Sequence, residues 1–236
     1  MQQHVVIIGG SSGIGLAAAK ILLRDKFKVT ISGRDPQRLA NAGKSLGGEA
    51  GTMAVDATNP TAVAGMFSSL ATLDHLVLAF GSNKGFGPFA TIGLDSVQQS
   101  FSEKVFPHFA CAQAAYKYLN PKGSITFLSA VSAFGAMPGA AGIGGANAAI
   151  AAFVPTLARE LKPLRVNAVA PGVIDTPWWD WATPEQKSAY FADFAKQTPV
   201  GRVGTPEEIG QAIAFLITNG FMTGQTIVCD GGIRLS

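Results

Sequence analysis

Charged residues are scarce in this sequence. They make up 14% of its 236 residues, and the 18 Lys and Arg residues are spread along the whole chain. A formal net charge of +3 without a basic cluster argues against a nucleic-acid-binding surface. No uncharged apolar run reaches the roughly eighteen residues that a membrane span requires. We therefore expect partners that are neither nucleic acids nor membranes.

Cysteine and histidine are also rare. The two cysteines, Cys111 and Cys229, lie far apart among apolar residues, so we predict no disulfide framework. The three histidines, His4, His75 and His108, show no metal-ligand spacing, and we predict no metal site. A predicted strand follows the first four residues and leaves no room for a signal peptide, so we expect a cytoplasmic protein.

Apolar residues are abundant instead, at 47% of the chain. Short apolar runs predict strands at residues 5–8, 29–31, 51–55, 76–80, 125–128, 166–169 and 225–228. Longer amphipathic stretches predict helices at residues 13–24, 36–46, 60–70, 96–119, 140–161 and 206–218. This alternation is typical of βαβ units. We predict one α/β domain over residues 1–236: a doubly wound parallel sheet of about seven strands with helices on both faces.

One segment, residues 178–200, breaks this alternation and carries a concentration of aromatic side chains. Ligands of open α/β sheets bind beyond the carboxyl ends of the strands, so we predict that this lid segment covers a substrate. The alternative is an aromatic helix pair packed at a subunit interface. The aromatic residues are Trp178, Trp179, Trp181, Tyr190, Phe191 and Phe194.

A glycine-rich loop follows the first predicted strand and opens the first helix. Gly9 allows a tight turn, Gly13 lets backbone amides approach a pyrophosphate, and Gly15 lets the helix lie close to the sheet. The helix N-terminus offers unpaired N–H groups to phosphates. These features predict a Rossmann dinucleotide site whose loop comprises Gly9, Ser11, Ser12, Gly13, Ile14 and Gly15.

The spacing of this loop, G-x-x-x-G-x-G, resembles the T-G-x-x-x-G-I-G loop of short-chain dehydrogenases/reductases, with Ile8 in the threonine position. Residues 165–172, R-V-N-A-V-A-P-G, and Thr176 are nearly identical to that family's R-V-N-x-x-x-P-G-x-x-x-T motif. Residues 230–232 resemble its D-G-G motif. The resemblance spans essentially the whole chain and implies a Rossmann fold with a nicotinamide cofactor.

The resemblance also implies further cofactor contacts. Asp56 and Ala57 resemble the pair beside the adenine, and residues 78–81, L-A-F-G, stand where the family usually has N-N-A-G. At the nicotinamide end, backbone groups near Ile174 and the Thr176 hydroxyl are implied to hold the carboxamide. The implied residues are Asp56, Ala57, Ala79, Phe80, Gly81, Pro171, Gly172, Ile174 and Thr176.

Cofactor choice follows from the end of the second strand. The acid that would bind an NAD ribose is replaced by Gly33, and Arg34 comes next. Asp35 fits better as the N-cap of a helix that starts at Pro36. Since a guanidinium pairs well with a 2′-phosphate, we predict NADP(H) as the cofactor, the alternative being a solvated surface arginine.

The family's catalytic Tyr-x-x-x-Lys pair is missing. The alignment places Ile143 at the tyrosine position and Asn147 at the lysine position. The family's serine falls at Ala130, which Ser129 and Ser132 flank. We take Ser129, at the end of a strand, as a candidate catalytic residue; the alternative is a turn or cap residue.

The family's active-site asparagine aligns with Lys104. An ammonium there would restore a positive charge near the nicotinamide ribose, or donate a proton if burial lowers its pKa. The alternative is a surface lysine paired with an acid.

Two functional hypotheses follow. The first is an NADPH-dependent oxidoreductase with a non-standard proton donor, acting on a fairly apolar small molecule: a carbonyl, an imine or an activated alkene. The second is a catalytically inactive NADP(H)-binding sensor or interaction protein on the same scaffold. The resemblance further implies a homotetramer or homodimer.

Overall fold

Seven strands form one sheet in the computed structural model, which describes residues 2–235. The sheet order is β3-β2-β1-β4-β5-β6-β7, and every neighbouring pair is parallel. The predicted doubly wound α/β fold is therefore confirmed. The strands are β1 (His4–Ile8), β2 (Lys28–Gly33), β3 (Gly51–Ala54), β4 (Leu73–Leu78), β5 (Leu119–Leu128), β6 (Arg165–Pro171) and β7 (Thr226–Cys229).

Residues 2–235 contain eight α-helices, and six of them cover the two faces of this sheet. Successive side chains of a strand point to opposite faces, so Val5 and Ile7 pack on one helix layer and Val6 and Ile8 on the other. Residues of α1, α2 and α8 belong to the first core, and residues of α3, α5 and α6 to the second. The helices are α1 (Gly13–Arg24), α2 (Pro36–Ser45), α3 (Pro60–Leu70), α4 (Leu94–Ser100), α5 (Phe106–Tyr116), α6 (Ala141–Glu160), α7 (Pro184–Gln197) and α8 (Pro206–Thr218).

The start of α2 bears on the cofactor site. The Asp35 carboxylate accepts hydrogen bonds from the backbone amides of Gln37 and Arg38, and Pro36 occupies the first turn. The predicted N-cap is confirmed. Asp35 is therefore engaged in this cap, and Arg34 is the residue between the end of β2 and the cap.

The predicted helix at residues 96–119 differs from the structure. It begins at Leu94 as α4, widens into a π-helical turn at Phe101–Val105, and continues as α5. The Ser100 and Ser102 hydroxyls donate to carbonyls of the preceding turn, Val97 O and Gln98 O. Such local bonds compete with regular helical pairing, and the wider turn leaves Lys104 pointing inward.

Strand β5 begins at Leu119, six residues before the start that the apolar run predicted. Leu119 pairs with Leu73 of β4, and a register irregularity follows between Leu73 and His75. The apolar pattern of the sequence does not predict this extension, because residues 120–122 are exposed and do not continue the pattern.

Helix α6 is long and apolar enough, by length and composition alone, to cross a membrane. Its buried residues Ala146, Asn147, Ile150 and Val154 face the core, where Ile150 and Val154 join the second apolar layer. We therefore interpret α6 as a core helix.

The lid segment contains the end of a 3₁₀ turn at Pro177–Trp179 and the whole of α7. Helix α7 starts with a capping box in which Thr183 and Gln186 exchange hydrogen bonds. Trp179 lies at the centre of the aromatic rings and contacts Phe191 at a centroid distance of 5.4 Å. The segment is thus an ordered helical unit with its own small aromatic core.

Candidate cofactor and active site

The residues predicted to bind the cofactor gather at one edge of the sheet. In a parallel sheet all strands end on the same side, so the segments after β1, β2, β3, β4 and β6 meet there. The chain leaves β1 for β2 and β3 on one side and returns to β4 on the other. This change of direction opens the crevice in which open α/β sheets bind ligands.

The backbone of the glycine loop packs closely against neighbouring backbone. Gly9 has φ 86° and Gly13 has φ 51°, in the left-handed region that glycine adopts without strain. A Cβ on Gly9 would come within 2.5 Å of the Ala79 carbonyl oxygen at the end of β4. A Cβ on Gly15 would collide with the Gly9 carbonyl oxygen, so α1 packs directly on the loop.

The N-terminus of α1 has no side-chain cap. Ser12 occupies the N-cap position without a side-chain hydrogen bond to the helix, although serine usually provides one. The first helical bond runs from the Leu16 amide to the Ser12 carbonyl, which leaves the amides of Gly13, Ile14 and Gly15 without helical acceptors. Free amides beside a glycine cradle fit the pyrophosphate of a dinucleotide.

The adenine end combines Arg34 with Asp56. The Asp56 carboxylate accepts hydrogen bonds from the Thr58 amide and hydroxyl at 2.9 and 2.8 Å. These bonds, and more weakly the nearby charge of Arg34, lower the pKa of Asp56 below its usual value. Arg34 is exposed, and a Cβ on Gly33 would lie 2.8 Å from Ser11 Oγ. The structure therefore brings Ser11, Arg34 and Asp56 to the same end of the crevice.

The segment predicted to hold the nicotinamide returns to the glycine loop. Thr176 Cβ lies 3.3 Å from the position of a Cβ on Gly13. The Thr176 hydroxyl accepts from the Trp178 amide at 3.4 Å, and the Ile174 carbonyl accepts from Trp179 Nε1 at 3.1 Å. Pro171 ends β6 just upstream. The segment thus joins the phosphate loop to the lid segment.

The lid segment is attached to the opposite wall of the crevice. Trp178 Nε1 donates to the Ser82 carbonyl at 3.0 Å. Ser82 follows directly after Gly81 at the end of the β4 segment. The indole therefore ties the segment after β6 to the segment after β4, across the carboxyl edge of the sheet.

The Lys104 side chain extends from the π-helical turn toward the carboxyl ends of the strands. Its side chain is 7% exposed, and Nζ donates to Asn147 Oδ1 at 2.5 Å and to the Ser129 carbonyl at 3.3 Å. Burial lowers the pKa of Lys104 to about 7. Within residues 2–235 no acid lies within salt-bridge distance of Lys104, so the alternative of a surface lysine paired with an acid is wrong.

Lys104 also lies beside the predicted nicotinamide wall. A Cβ on Gly81 would lie 3.8 Å from Lys104 Nζ. The neighbouring Phe80 ring packs against His108 at a centroid distance of 4.1 Å, with the two ring planes tilted by 42°. The ammonium is therefore adjacent to the β4 segment that the resemblance assigns to the cofactor.

Asn147 connects Lys104 to two serines. Its Nδ2 donates to Ser132 Oγ at 3.0 Å, and its backbone carbonyl accepts from Ser129 Oγ at 2.8 Å. Ser129 is 2% exposed, and its hydroxyl proton is used in this bond to α6. Its catalytic role stays a prediction.

Comparison with known proteins agrees with this architecture. A family model described as enoyl-(acyl carrier protein) reductase matches residues 9–234. The chain belongs to the short-chain dehydrogenase/reductase family. The members of this family are oxidoreductases that use nicotinamide cofactors.

Similar individual proteins include two reductases and a dehydrogenase. A 1-cyclohexenylcarbonyl-CoA reductase of Streptomyces collinus is 29% identical, covering 99% of this chain and 88% of the relative. A 3-oxoacyl-(acyl-carrier-protein) reductase of Rickettsia prowazekii is 29% identical over 98% and 96% of the two chains. A small-chain dehydrogenase solved in complex with NADPH is 29% identical, with a TM-score of 0.89 and complete coverage of both chains.

His108 contacts this site and is not among the site residues predicted from the sequence. His108 is fully buried, and its Nδ1 and Nε2 lie 2.8 and 3.3 Å from the carbonyl oxygens of Lys104 and Leu78. Burial, and then the charge of Lys104, lower the pKa of His108 to about 3, so the ring is neutral. A neutral imidazole has one N–H, so His108 donates to one of these carbonyls and packs against the other, between the π-helical turn and β4. The available signal was its position four residues after Lys104, one helical turn away.

Metal chemistry has no visible basis in the part of the chain that the structure describes. No three His, Cys, Asp or Glu side chains among residues 2–235 form a group that fits a metal ion.

Proposed function

We propose that this protein is an NADP(H)-dependent oxidoreductase whose proton donor is not the family's tyrosine. The observation that carries the proposal is Lys104, a buried ammonium with a lowered pKa, at the crevice that the glycine loop also lines. Perturbed ionisable groups in such positions are typical of catalytic sites.

The cofactor preference rests on Arg34. It is an exposed guanidinium at the end of β2, next to Ser11 and Asp56, with no acid at Gly33 to bind a ribose 2′-hydroxyl. A 2′-phosphate adds negative charge that a guanidinium pairs with through two hydrogen bonds. The NADPH complex of the related dehydrogenase supports the same choice.

Lys104 takes over the positive charge that the family places on α6. Ile143 and Asn147 occupy the positions of the missing tyrosine and lysine, and the ammonium reaches Asn147 from the facing helix. The bound nicotinamide supplies a hydride. A Lys104 with a pKa of about 7 keeps a large fraction of ammonium at neutral pH and holds an exchangeable proton there.

The substrate class follows from the charge that develops. Hydride addition to a ketone makes an alkoxide, which is costly in an apolar site without a strong donor. An iminium becomes a neutral amine, and a conjugated alkene spreads the charge onto a carbonyl oxygen. We therefore propose a fairly apolar carbonyl, imine or activated alkene that the lid segment covers. The names of the two relatives, an enoyl-type and a 3-oxoacyl reductase, include two of these classes.

Calorimetric titration with NADPH and NADH tests the cofactor assignment. We expect micromolar binding of NADPH and much weaker binding of NADH. Protein that binds NADPH is then incubated with 4-deuterated NADPH and a panel of cyclic ketones, imines and enones. Deuterium in at least one reduced product is expected.

Two other results would separate the hypotheses. NADPH binding without deuterium transfer to any class would favour a catalytically inactive NADP(H)-binding sensor or interaction protein. Absence of binding to either nucleotide would overturn both assignments.

We further propose a cytoplasmic homodimer or homotetramer. Phe106 and Phe109 of α5 and Phe215 of α8 are large apolar side chains that remain 46–63% exposed in the single chain. Association would remove such apolar surface from water. Sedimentation analysis tests this proposal, and a monomer at micromolar concentration would overturn it.

A further inference from the structure

The Lys104–Asn147 contact fixes the orientation of an amide. An ammonium has only N–H donors, so the oxygen of the Asn147 side chain has to face Lys104. The amide nitrogen then has to face the other way, toward Ser132 Oγ at 3.0 Å. This orientation follows from the charge of Lys104 and needs no assumption about which amide atom is which.

Ser132 is therefore held as an acceptor. Its Oγ receives the Asn147 N–H, which leaves its own hydroxyl hydrogen to point elsewhere. Across residues 2–235, no protein acceptor receives that hydrogen within hydrogen-bonding distance. Ser132 is partly exposed, in the 3₁₀ turn Val131–Ala133 that follows β5.

The other serine of the network has the opposite arrangement. Ser129 is buried, and its hydroxyl donates to the Asn147 backbone carbonyl. Ser132 lies toward solvent next to the first turn of α6, where its carbonyl oxygen would be 2.7 Å from a Cβ on Gly144. Ile143, at the position of the missing tyrosine, directly precedes Gly144.

We propose that Ser132 donates a hydrogen bond to the reacting carbonyl oxygen of the substrate, and that Lys104 and Asn147 are the positioning residues that aim it. The inference rests on the proposed function, because it names the group that contacts the substrate of the same site. The bond is strongest when negative charge develops on that oxygen, as it does when hydride adds to a ketone or an enone. An iminium nitrogen carries no acceptor and gains nothing from Ser132.

In the same geometry, the direction of the hydrogen bond between Asn147 and Ser132 should depend on pH. A neutral Lys104 amine accepts hydrogen bonds, so the Asn147 amide can rotate and present its oxygen to Ser132. The Ser132 hydroxyl then donates to Asn147 and is withdrawn from the substrate. The groups around Lys104 are Asn147 on α6, Ser129 at the end of β5, Gly81 after β4 and the neutral His108 on its own helix.

The kinetic test compares Ser132→Ala with the wild type on an enone or ketone and on an N-alkylated cyclic iminium such as 1,2-dimethyl-1-pyrrolinium, whose nitrogen has no lone pair. We expect kcat/KM for the oxygen-bearing substrate to fall about 100-fold, with less than about threefold change for the iminium. The dissociation constant of NADPH should be unchanged. Ser132→Thr, which keeps the hydroxyl, should restore most of the activity, and Ser69→Ala on α3 is the matched control.

An equal loss on both substrate classes, or no loss on either, would overturn the role of Ser132 while leaving the oxidoreductase assignment in place. Failure of the proposed function itself would appear earlier, as absent NADPH binding or absent deuterium transfer in the wild type.

A substrate-free measurement tests the positioning step. Side-chain amide signals of ¹⁵N-asparagine-labelled protein should show Asn147 titrating together with Lys104, and Ser132→Ala should shift the low-pH Asn147 signal. Asn147 signals that ignore both pH and Ser132→Ala would overturn the proposal, whatever substrate the protein uses.

Discussion

Lys104 and Arg165 are both buried cations that form no salt bridge within residues 2–235, and they lie at opposite ends of the parallel strands. Lys104 is 7% exposed at the carboxyl edge, whereas Arg165 is 9% exposed at the start of β6. The Arg165 guanidinium donates to the carbonyls of Leu216, Ile217 and Met222 at 2.7, 2.8 and 3.3 Å. Two of these carbonyls belong to the last turn of α8.

The two sites differ in the groups that accept hydrogen bonds from each cation and in where each cation lies. Arg165 places its charge on helix-end carbonyls, which carry partial negative charge and lack helical donors. Lys104 has one short bond to an amide and one long bond to a carbonyl, and its pKa has fallen to about 7. A buried cation held by the carbonyls of a helix end supports the fold, whereas a buried cation with a lowered pKa beside the proposed cofactor crevice is placed for chemistry.

The largest expected effect separates the two cations by activity. Lys104→Met should lower kcat about 10²- to 10⁴-fold, because it removes the proposed acid and the charge that orients Asn147. The protein should remain folded, since methionine fills a similar volume without a buried charge. Steady-state turnover of the best panel substrate checks this, with exposed Lys44→Met as control. Wild-type turnover by Lys104→Met would contradict the proposed catalytic role of Lys104.

Arg165→Met should affect stability instead. Removing the guanidinium leaves the carbonyls of Leu216, Ile217 and Met222 without this donor, which we expect to lower the free energy of unfolding by about 3 kcal/mol. Urea denaturation measures the loss. The folded fraction should bind NADPH with wild-type affinity, and a variant that is fully stable yet inactive would contradict the structural role.

A third cation, Arg34, extends the comparison, because we propose that it binds the cofactor although it is exposed. Arg34→Ser should weaken NADPH binding by about 1.5–3 kcal/mol, a factor of roughly 10 to 100, since it removes a charged hydrogen-bond donor. NADH binding should change little. Calorimetry with both nucleotides measures the two affinities, and an equal loss for both would point to a general structural effect.

The effect that is smallest per pH unit concerns the ionisation of Lys104. The pKa of Lys104 is lowered from 10.5 to about 7 in the folded protein, so between these values the unfolded chain binds more protons at this residue. Stability from this group should therefore rise with pH from about 7 to about 10, by at most about 1.4 kcal/mol per pH unit. The slope should disappear in Lys104→Met and remain in Arg165→Met. Urea unfolding of the three proteins across this range provides the measurement.

The fold and the cofactor crevice were predictable because they depend on local patterns. Apolar runs and helix caps such as Asp35 determine the elements, and the close approaches at Gly9 and Gly15 admit no other residue. The parallel order of the strands then places the ends of all of them at one edge. These features are set by backbone geometry, which neighbouring residues encode directly.

The active-site network was only partly predictable. Lys104 could be placed near the pocket from the resemblance, but its bond to Asn147 joins residues 43 positions apart. The π-helical turn that aims Lys104 inward leaves no mark on the apolar pattern, and neither does the packing of His108 against that turn. Such contacts depend on how helices pack, and packing is a long-range property.

The lid segment has a spectroscopic consequence. All three tryptophans of the protein lie within it, so every indole photon that the molecule emits comes from this one segment. Trp178 is held through the Ser82 carbonyl, and Trp179 lies buried among the rings around it. Opening of the segment would release the first indole and hydrate the second. The protein would therefore report any movement of this segment through its own fluorescence, with no tryptophan emission from the rest of the chain.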